Sequence, residues 1–254
     1  MSNDVFEFCR DRLKPPTYKA KGFHKLLHLL DAVAAKEGET IPPHDTTPGA
    51  FSETVSVKNA GETAFQRALY ALGSGRIAVA GQQELLSWHD IELPITFSGK
   101  GRRRCVDLIG SMEHLGCFLC ELKHAKAQQS PPGNAADYAI FEALIYFGII
   151  TQNHEALDEG EVWRDGRRLA FRWEDVAASK TILVLANDRY WKKARTEANA
   201  RRIRDLVGDI ADKLKIKVLL WATLDCAFFD ESNVQDGKYA PRIPSPGLWK
   251  PALD

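Results

Sequence analysis

The sequence predicts an α/β protein in which helices flank a mixed central sheet and a helical arm precedes the core at the N-terminus. Strand-like segments follow one another directly at 90–97, 103–110 and 116–123, which indicates a meander. Two further apolar runs, at 181–187 and 217–224, have the composition of buried strands and are set apart by helical patterns. An order of helix, three strands, helix, strand, helix and strand is typical of a sheet with helices on its faces.

The chain divides into three segments. Residues 1–50 predict two short helices and then a loop rich in Pro, Gly and Thr, so we interpret them as an N-terminal helical accessory segment. Residues 51–235 contain all the predicted strands and form the core domain. Residues 236–254 are rich in proline, and we expect an irregular C-terminal tail.

Composition excludes several classes of protein. Lys and Arg total 34 and Asp and Glu total 34, so no global charge indicates a nucleic-acid or membrane partner. The longest apolar run, "YAIFEALIYFGII", is interrupted by Glu142 and is too short to span a bilayer. The start of the chain has no basic region that leads into an apolar stretch. We therefore expect a soluble, cytoplasmic protein with no membrane partner.

The cysteines predict no disulfide framework. They form an odd and scattered set, and the single C-x-x-C has no second pair to complete a zinc site. The five positions are Cys9, Cys105, Cys117, Cys120 and Cys226. A reducing compartment fits this pattern.

Two strands at 103–110 and 116–123 bring charged residues together. If they pair antiparallel around a turn centred on His114, Asp107 lies directly opposite Glu121, and Lys123 follows on the same face. Two ionised carboxylates at such a short distance repel each other, so the arrangement requires a cation. A divalent ion with oxygen ligands fits best. A register slip of one residue would separate the pair.

These residues resemble the active-site signature of the PD-(D/E)XK nuclease superfamily. The matching segments are "CVDLIG" and "CELKHA", and position 106 is Val where the family name has Pro. The resemblance implies a restriction-endonuclease-like core over 51–235. It also implies hydrolysis of phosphodiester bonds, with DNA as the expected substrate. It also implies Mg²⁺ or Mn²⁺ as cofactor, and a homodimer as a family-based possibility.

The resemblance assigns roles to individual residues. Asp107 and Glu121 would bind the metal, the backbone carbonyl of Leu122 would be a further ligand, and Lys123 would position or activate the attacking water. Glu62, on the helix before the meander, would be an outer or second-metal ligand, although an acid in the first turn of a helix also favours the macrodipole.

A basic run precedes the Asp107 strand and is a candidate for contacts with phosphates. It contains Arg102, Arg103 and Arg104, and His124, which follows the Glu121 strand, can touch substrate or simply cap the strand. Runs of charge are also commonly solvated faces.

Two other readings stay open. The chain can be a catalytically idle module of the same fold that binds nucleic acid or protein. It can also be an unrelated α/β protein in which Glu121 and Lys123 form an exposed ion pair worth about 0–1 kcal/mol.

Overall fold

The structure is a computed structural model. It describes residues 2–14, 18, 21–34, 54–59, 61–79, 82–96, 104–126, 131–159, 163–164, 167–168, 171–223, 234–242 and 248–254.

The described residues contain seven α-helices, one 3-10 helix and eleven strands. The helices are α1 (Ser2–Arg12), α2 (Lys21–Ala34), α3 (Glu62–Tyr70), α4 (Ala135–Glu159), α5 (Trp173–Ser179), α6 (Asp188–Trp191) and α7 (Glu197–Leu214), with a 3-10 helix at Val57–Asn59. The strands are β1 (Val55–Ser56), β2 (Ser74–Val79), β3 (Gln82–Thr96), β4 (Arg104–Met112), β5 (Gly116–Lys123), β6 (Trp163–Arg164), β7 (Arg167–Arg168), β8 (Thr181–Asn187), β9 (Lys217–Thr223), β10 (Lys238–Tyr239) and β11 (Leu248–Pro251).

Seven of the strands form a closed, mixed barrel in the order β11-β2-β3-β4-β5-β8-β9. Strands β2 to β5 pair antiparallel with their neighbours, whereas β5, β8 and β9 run parallel. β11 pairs antiparallel with β9 and parallel with β2, so it joins the two ends of the sheet. Closure leaves neither end of the sheet as an exposed edge.

The closed barrel contradicts the predicted fold class. An open, restriction-endonuclease-like mixed sheet flanked by helices is wrong, because β11 connects β9 to β2. β11 comes from 236–254, the segment expected to be irregular, and β2 lies just before the predicted meander. β2 forms a local hairpin with β3, but its pair with β11, like the pair of β11 with β9, joins segments that are distant along the chain, and local sequence patterns do not reveal such partners.

Most of the individual elements are confirmed. The predicted strands at 181–187 and 217–224 are β8 and β9, and the apolar run "YAIFEALIYFGII" lies in α4, which extends to Glu159. The predicted meander corresponds to β3, β4 and β5, although β3 begins earlier, at Gln82.

Two apolar layers follow from the alternation of side chains along the strands. All seven barrel strands contribute to one buried cluster, which includes Trp88, Phe118, Leu183, Trp221 and Trp249 and fills the barrel. The other faces of β4, β5, β8 and β9 join a second cluster with the helices. Apolar residues surround α4 on nearly all sides, as expected of a helix at the centre of a core, and α1 and α2 of the N-terminal arm pack against it.

No helix within the described ranges is both long enough and apolar enough to cross a membrane.

Candidate functional site

The β4–β5 hairpin has the predicted register. Leu108 pairs with Cys120, Ile109 with Leu119 and Met112 with Gly116, around a turn at 113–115. One further step in this register brings Asp107 opposite Glu121. The two acids share the face that looks toward α4, whereas Leu108 and Cys120 point into the barrel.

Asp107 is held by hydrogen bonds at both its side chain and its main chain. The Leu122 amide donates to Asp107 Oδ2 at 2.8 Å, which ties the carboxylate to the facing strand. Gln66 Nε2 donates to the Asp107 carbonyl at 2.8 Å and lies 3.5 Å from Oδ1. Burial is the main cause that raises the pKa of Asp107 from 3.8 to about 7. The Lys123 ammonium opposes this rise, and the Glu62 carboxylate adds to it. This carboxyl therefore exchanges its proton near neutral pH.

Glu121 and Lys123 form a buried ion pair on β5. The Lys123 ammonium contacts Glu121 Oε1, and the two side chains are only 17% and 3% exposed, so the solvent-exposed ion pair considered above is wrong. Burial raises the pKa of Glu121 well above its ordinary value, with Lys123 opposing and Asp107 adding to the rise. The second oxygen, Oε2, is buried and accepts no hydrogen bond from the described donors. A buried carboxylate oxygen without a donor is costly unless a cation or proton reaches it.

Glu142 completes this cluster, and the sequence interpretation did not select it. Its Oε2 lies 3.2 Å from Lys123 Nζ, and the hydroxyls of Tyr138 and Tyr146 donate to its Oε1 at 3.3 and 3.2 Å. Burial alone would raise the pKa of Glu142, but the Lys123 charge and hydrogen bonds from Lys123 and Tyr146 lower it overall. Its position as the one acid in "YAIFEALIYFGII" was the available signal, because an acid in such a run requires a partner.

Lys123 is a permanently protonated cation at neutral pH. Burial would lower the pKa of this ammonium, but Glu121, Glu142, Glu62 and Asp107 together raise it well above the ordinary value. We refer to Asp107, Glu121, Lys123 and Glu142 as the acidic cluster.

Helix α3 supports the acidic cluster through two residues one turn apart. Gln66 holds Asp107, and Glu62 Oε2 accepts a hydrogen bond of 3.1 Å from the His124 amide. Because side chains four residues apart lie on one helix face, the spacing in "ETAFQ" could have indicated Gln66 together with Glu62. Glu62 itself is exposed, and its contact is with the backbone.

The remaining predicted residues are placed as follows. Leu122 points into the barrel core, and the main-chain group that contacts Asp107 is its N–H. The His124 ring lies 5.9 Å from the Phe65 ring. Arg104 is the first residue of β4, whereas Arg102 and Arg103 lie outside the described residues.

The chain that leaves β5 is fixed next to the acidic cluster. The Asn187 side chain, at the end of β8, accepts from the Ala125 amide and donates to the Ala125 carbonyl, both at 2.9 Å. This pair of bonds gives the C-terminal ends of β5 and β8 a defined geometry around the cluster.

The acidic cluster suits a magnesium ion better than a metal that needs a complete protein cage. Among the described residues, no three His, Cys, Asp or Glu side chains are arranged to hold a metal ion by themselves. Mg²⁺, however, is commonly held by one or two carboxylates, with water and substrate phosphates as its other ligands. Asp107 and Glu121, with the unpartnered Oε2, offer hard oxygen donors of this kind.

Comparison with known proteins gives no relative: no family model, no curated protein and no solved structure matches the chain. The geometry of the acidic cluster is therefore the main basis for a functional proposal.

Proposed function

We propose that this protein is a divalent-metal-dependent phosphodiesterase that cleaves nucleic acid, DNA in the first instance, at the acidic cluster. The observation that carries the proposal is the hairpin pair of half-buried Asp107 and buried Glu121 beside Lys123. Desolvated carboxylates that repel each other cost free energy of folding, and such groups are concentrated at functional sites. A purely structural hairpin gains nothing from this cost.

Asp107 and Glu121 would hold the ion through their carboxylate oxygens. When bound, Mg²⁺ or Mn²⁺ supplies a Lewis acid that lowers the pKa of water and neutralises charge on the phosphate. The requirement for oxygen donors is met by the two carboxylates.

The chain's own residues then perform two tasks. Lys123, fixed between Glu121 and Glu142, presents a permanent positive charge that stabilises an anionic phosphate. Asp107 is held by hydrogen bonds from the Leu122 amide and the Gln66 side chain, which fix its carboxylate in position to hold the ion together with Glu121.

A catalytically idle binding module is the second candidate, and one observation favours it. Lys123 already has two carboxylate partners, so the acidic cluster is partly neutralised without a metal. A cluster of this kind can persist as a structural element.

The two candidates differ in metal binding and turnover. We would titrate Mn²⁺ calorimetrically and incubate plasmid DNA, single-stranded DNA and RNA with Mg²⁺ or Mn²⁺. The variants are Asp107→Asn, Glu121→Gln and Lys123→Gln, and the matched control is Glu155→Gln, an exposed acid on α4. We expect cleavage by the wild type and by the control, and a loss of about 10²- to 10³-fold in each of the three variants.

Metal binding should distinguish the variants further. Asp107→Asn and Glu121→Gln should weaken Mn²⁺ binding, whereas Lys123→Gln should impair cleavage more than binding. Wild-type protein that binds no divalent ion and cleaves none of the substrates would overturn the proposal in favour of the idle module.

A further inference from the structure

A second polar site lies outside the acidic cluster, beside the short β1–β10 ribbon. It is a cavity of about 560 Å³, and the described residues that line it include Thr54, Gln235, Asp236, Lys238 and Arg242. Within the described part of the chain, no carboxylate forms an ion pair with Lys238 or Arg242. Two cations and one carboxylate, Asp236, therefore face the cavity.

The ribbon presents Lys238 from a rigid turn. Gln235 and Lys238 exchange two backbone hydrogen bonds of 2.8 and 2.9 Å across Asp236 and Gly237. These two central residues have φ values of 50° and 70°, as a tight hairpin turn of the primed type requires. The Val57 amide also donates to the Gly237 carbonyl at 3.0 Å, which fixes the turn to the 3-10 helix. Little conformational freedom remains to be lost at this turn when a ligand binds.

Helix α3 connects the cavity to the acidic cluster. Tyr239, which lines the cavity, packs with Val55 and with Ala64 of α3. Ala64 is two residues from Glu62, which corresponds to a rise of about 3 Å along the helix axis. Glu62 in turn accepts a hydrogen bond from the amide of His124, the residue that follows Lys123 of the acidic cluster. Lys126 adds a cation at the start of α3, because a Cβ at Gly61 would lie 3.3 Å from Lys126 Cε.

We propose that this cavity binds the sugar–phosphate backbone of one nucleic-acid strand, with Lys238 and Arg242 as the phosphate contacts, while the same strand extends toward the acidic cluster. The inference rests on the proposed function for the nature of the ligand. The cavity volume falls within the range of about 300–1,000 Å³ that accommodates a small ligand.

The test measures binding without turnover. Fluorescence anisotropy of a fluorescein-labelled single-stranded DNA would be followed in EDTA, from about 50 to 200 mM NaCl, because phosphate contacts make affinity depend on salt. The variant is Lys238→Gln with Arg242→Gln. The control is Lys213→Gln with Lys217→Gln, which removes the same amount of positive charge. Lys217 is distant from the acidic cluster, because it lies at the opposite end of the parallel strands from Lys123.

We expect the cavity variant to lose affinity and the slope of log K against log[NaCl] to become shallower by about 1.4, since each contact with a single strand contributes about 0.7. The control should keep the wild-type slope. All four side chains are exposed, so the circular dichroism spectra should remain unchanged.

Three outcomes would overturn the inference: no binding of the single strand by the wild type, equal slopes for the cavity variant and the wild type, or full displacement of the DNA by millimolar inorganic phosphate. Failure of the proposed function has a different signature, because the single strand would still bind through Lys238 and Arg242 but would not be cleaved when Mg²⁺ or Mn²⁺ is added. Cleavage with equal slopes would reject the cavity alone.

Discussion

The ionisation of Asp107 is the property of a single residue with the widest consequences. Its folded-state pKa of about 7 lies far above its ordinary value near 3.8, chiefly because the carboxyl is buried. Between these two pH values the folded protein keeps a proton that the unfolded chain has released. Stability that comes from this proton is complete below about pH 3.8 and is lost as the pH rises through 7.

Replacement of Asp107 by Asn should remove this pH dependence. At pH 8 the wild type must bury an ionised carboxylate that the variant lacks, so Asp107→Asn should gain stability relative to the wild type between pH 5 and pH 8. We expect a relative gain of no more than about 3 kcal/mol, because only the two pH units between pH 5 and the pKa of about 7 contribute. Urea denaturation of both proteins at the two pH values measures the difference.

An exposed acid provides the control for this measurement. Asp236→Asn makes the same change of residue type at an exposed turn. Both variants keep Glu121, whose raised pKa acts in the same direction as that of Asp107, and Glu142, whose lowered pKa acts in the opposite direction. Parallel pH profiles for Asp107→Asn and the wild type would show that Asp107 titrates in its ordinary range.

At the scale of elements, local patterns predicted most of what positions the site. The turn on His114 and the alternation in "CVDLIG" and "GCFLCELK" together determine the register that brings Asp107 opposite Glu121. Glu142 could not be placed in the same way. It comes from α4, and only the packing of α4 against β5 shows that it reaches Lys123.

The β3–β4–β5 meander depends on a glycine at its centre. A Cβ at Gly110 would lie 2.8 Å from both Phe118 Cζ and Trp88 Cε3, and 3.0 Å from the Ser87 carbonyl oxygen. The two rings meet edge to face with centroids 5.7 Å apart, so neither has free space to move into. Gly110→Ala should therefore destabilise the protein by about 1–3 kcal/mol through overpacking.

Gly75 on β2 offers the matched substitution for Gly110. An added Cβ there meets nothing within 4 Å, and its backbone does not need a positive φ. Gly75→Ala should leave stability unchanged or raise it slightly, because alanine restricts the unfolded chain. Equal midpoints of urea denaturation for the two variants would contradict the packing described for Trp88 and Phe118.

At the scale of the whole molecule, closure of the barrel is what local patterns could not predict. β11 is the four-residue segment "LWKP", which ends in proline and is short even for a strand. Nothing in such a segment indicates pairing with β9 and β2, which are about 25 and 170 residues away along the chain. The aromatic residues supply the physical reason: Trp249 completes the barrel core beside Trp221 and Trp88, at centroid distances of 5.8 and 6.3 Å.

Two adjacent residues on β11 test whether closure stabilises the fold. Trp249 is buried, and Trp249→Ala should cost about 3–5 kcal/mol in the free energy of unfolding. Lys250 is exposed and pairs with Asp188 at 2.9 Å, so Lys250→Ala should cost less than about 1 kcal/mol. Urea denaturation of both variants separates burial in the barrel from the surface ion pair. Because β11 makes the closing contacts, a loss below 1 kcal/mol for Trp249→Ala would mean that the sheet is open in solution.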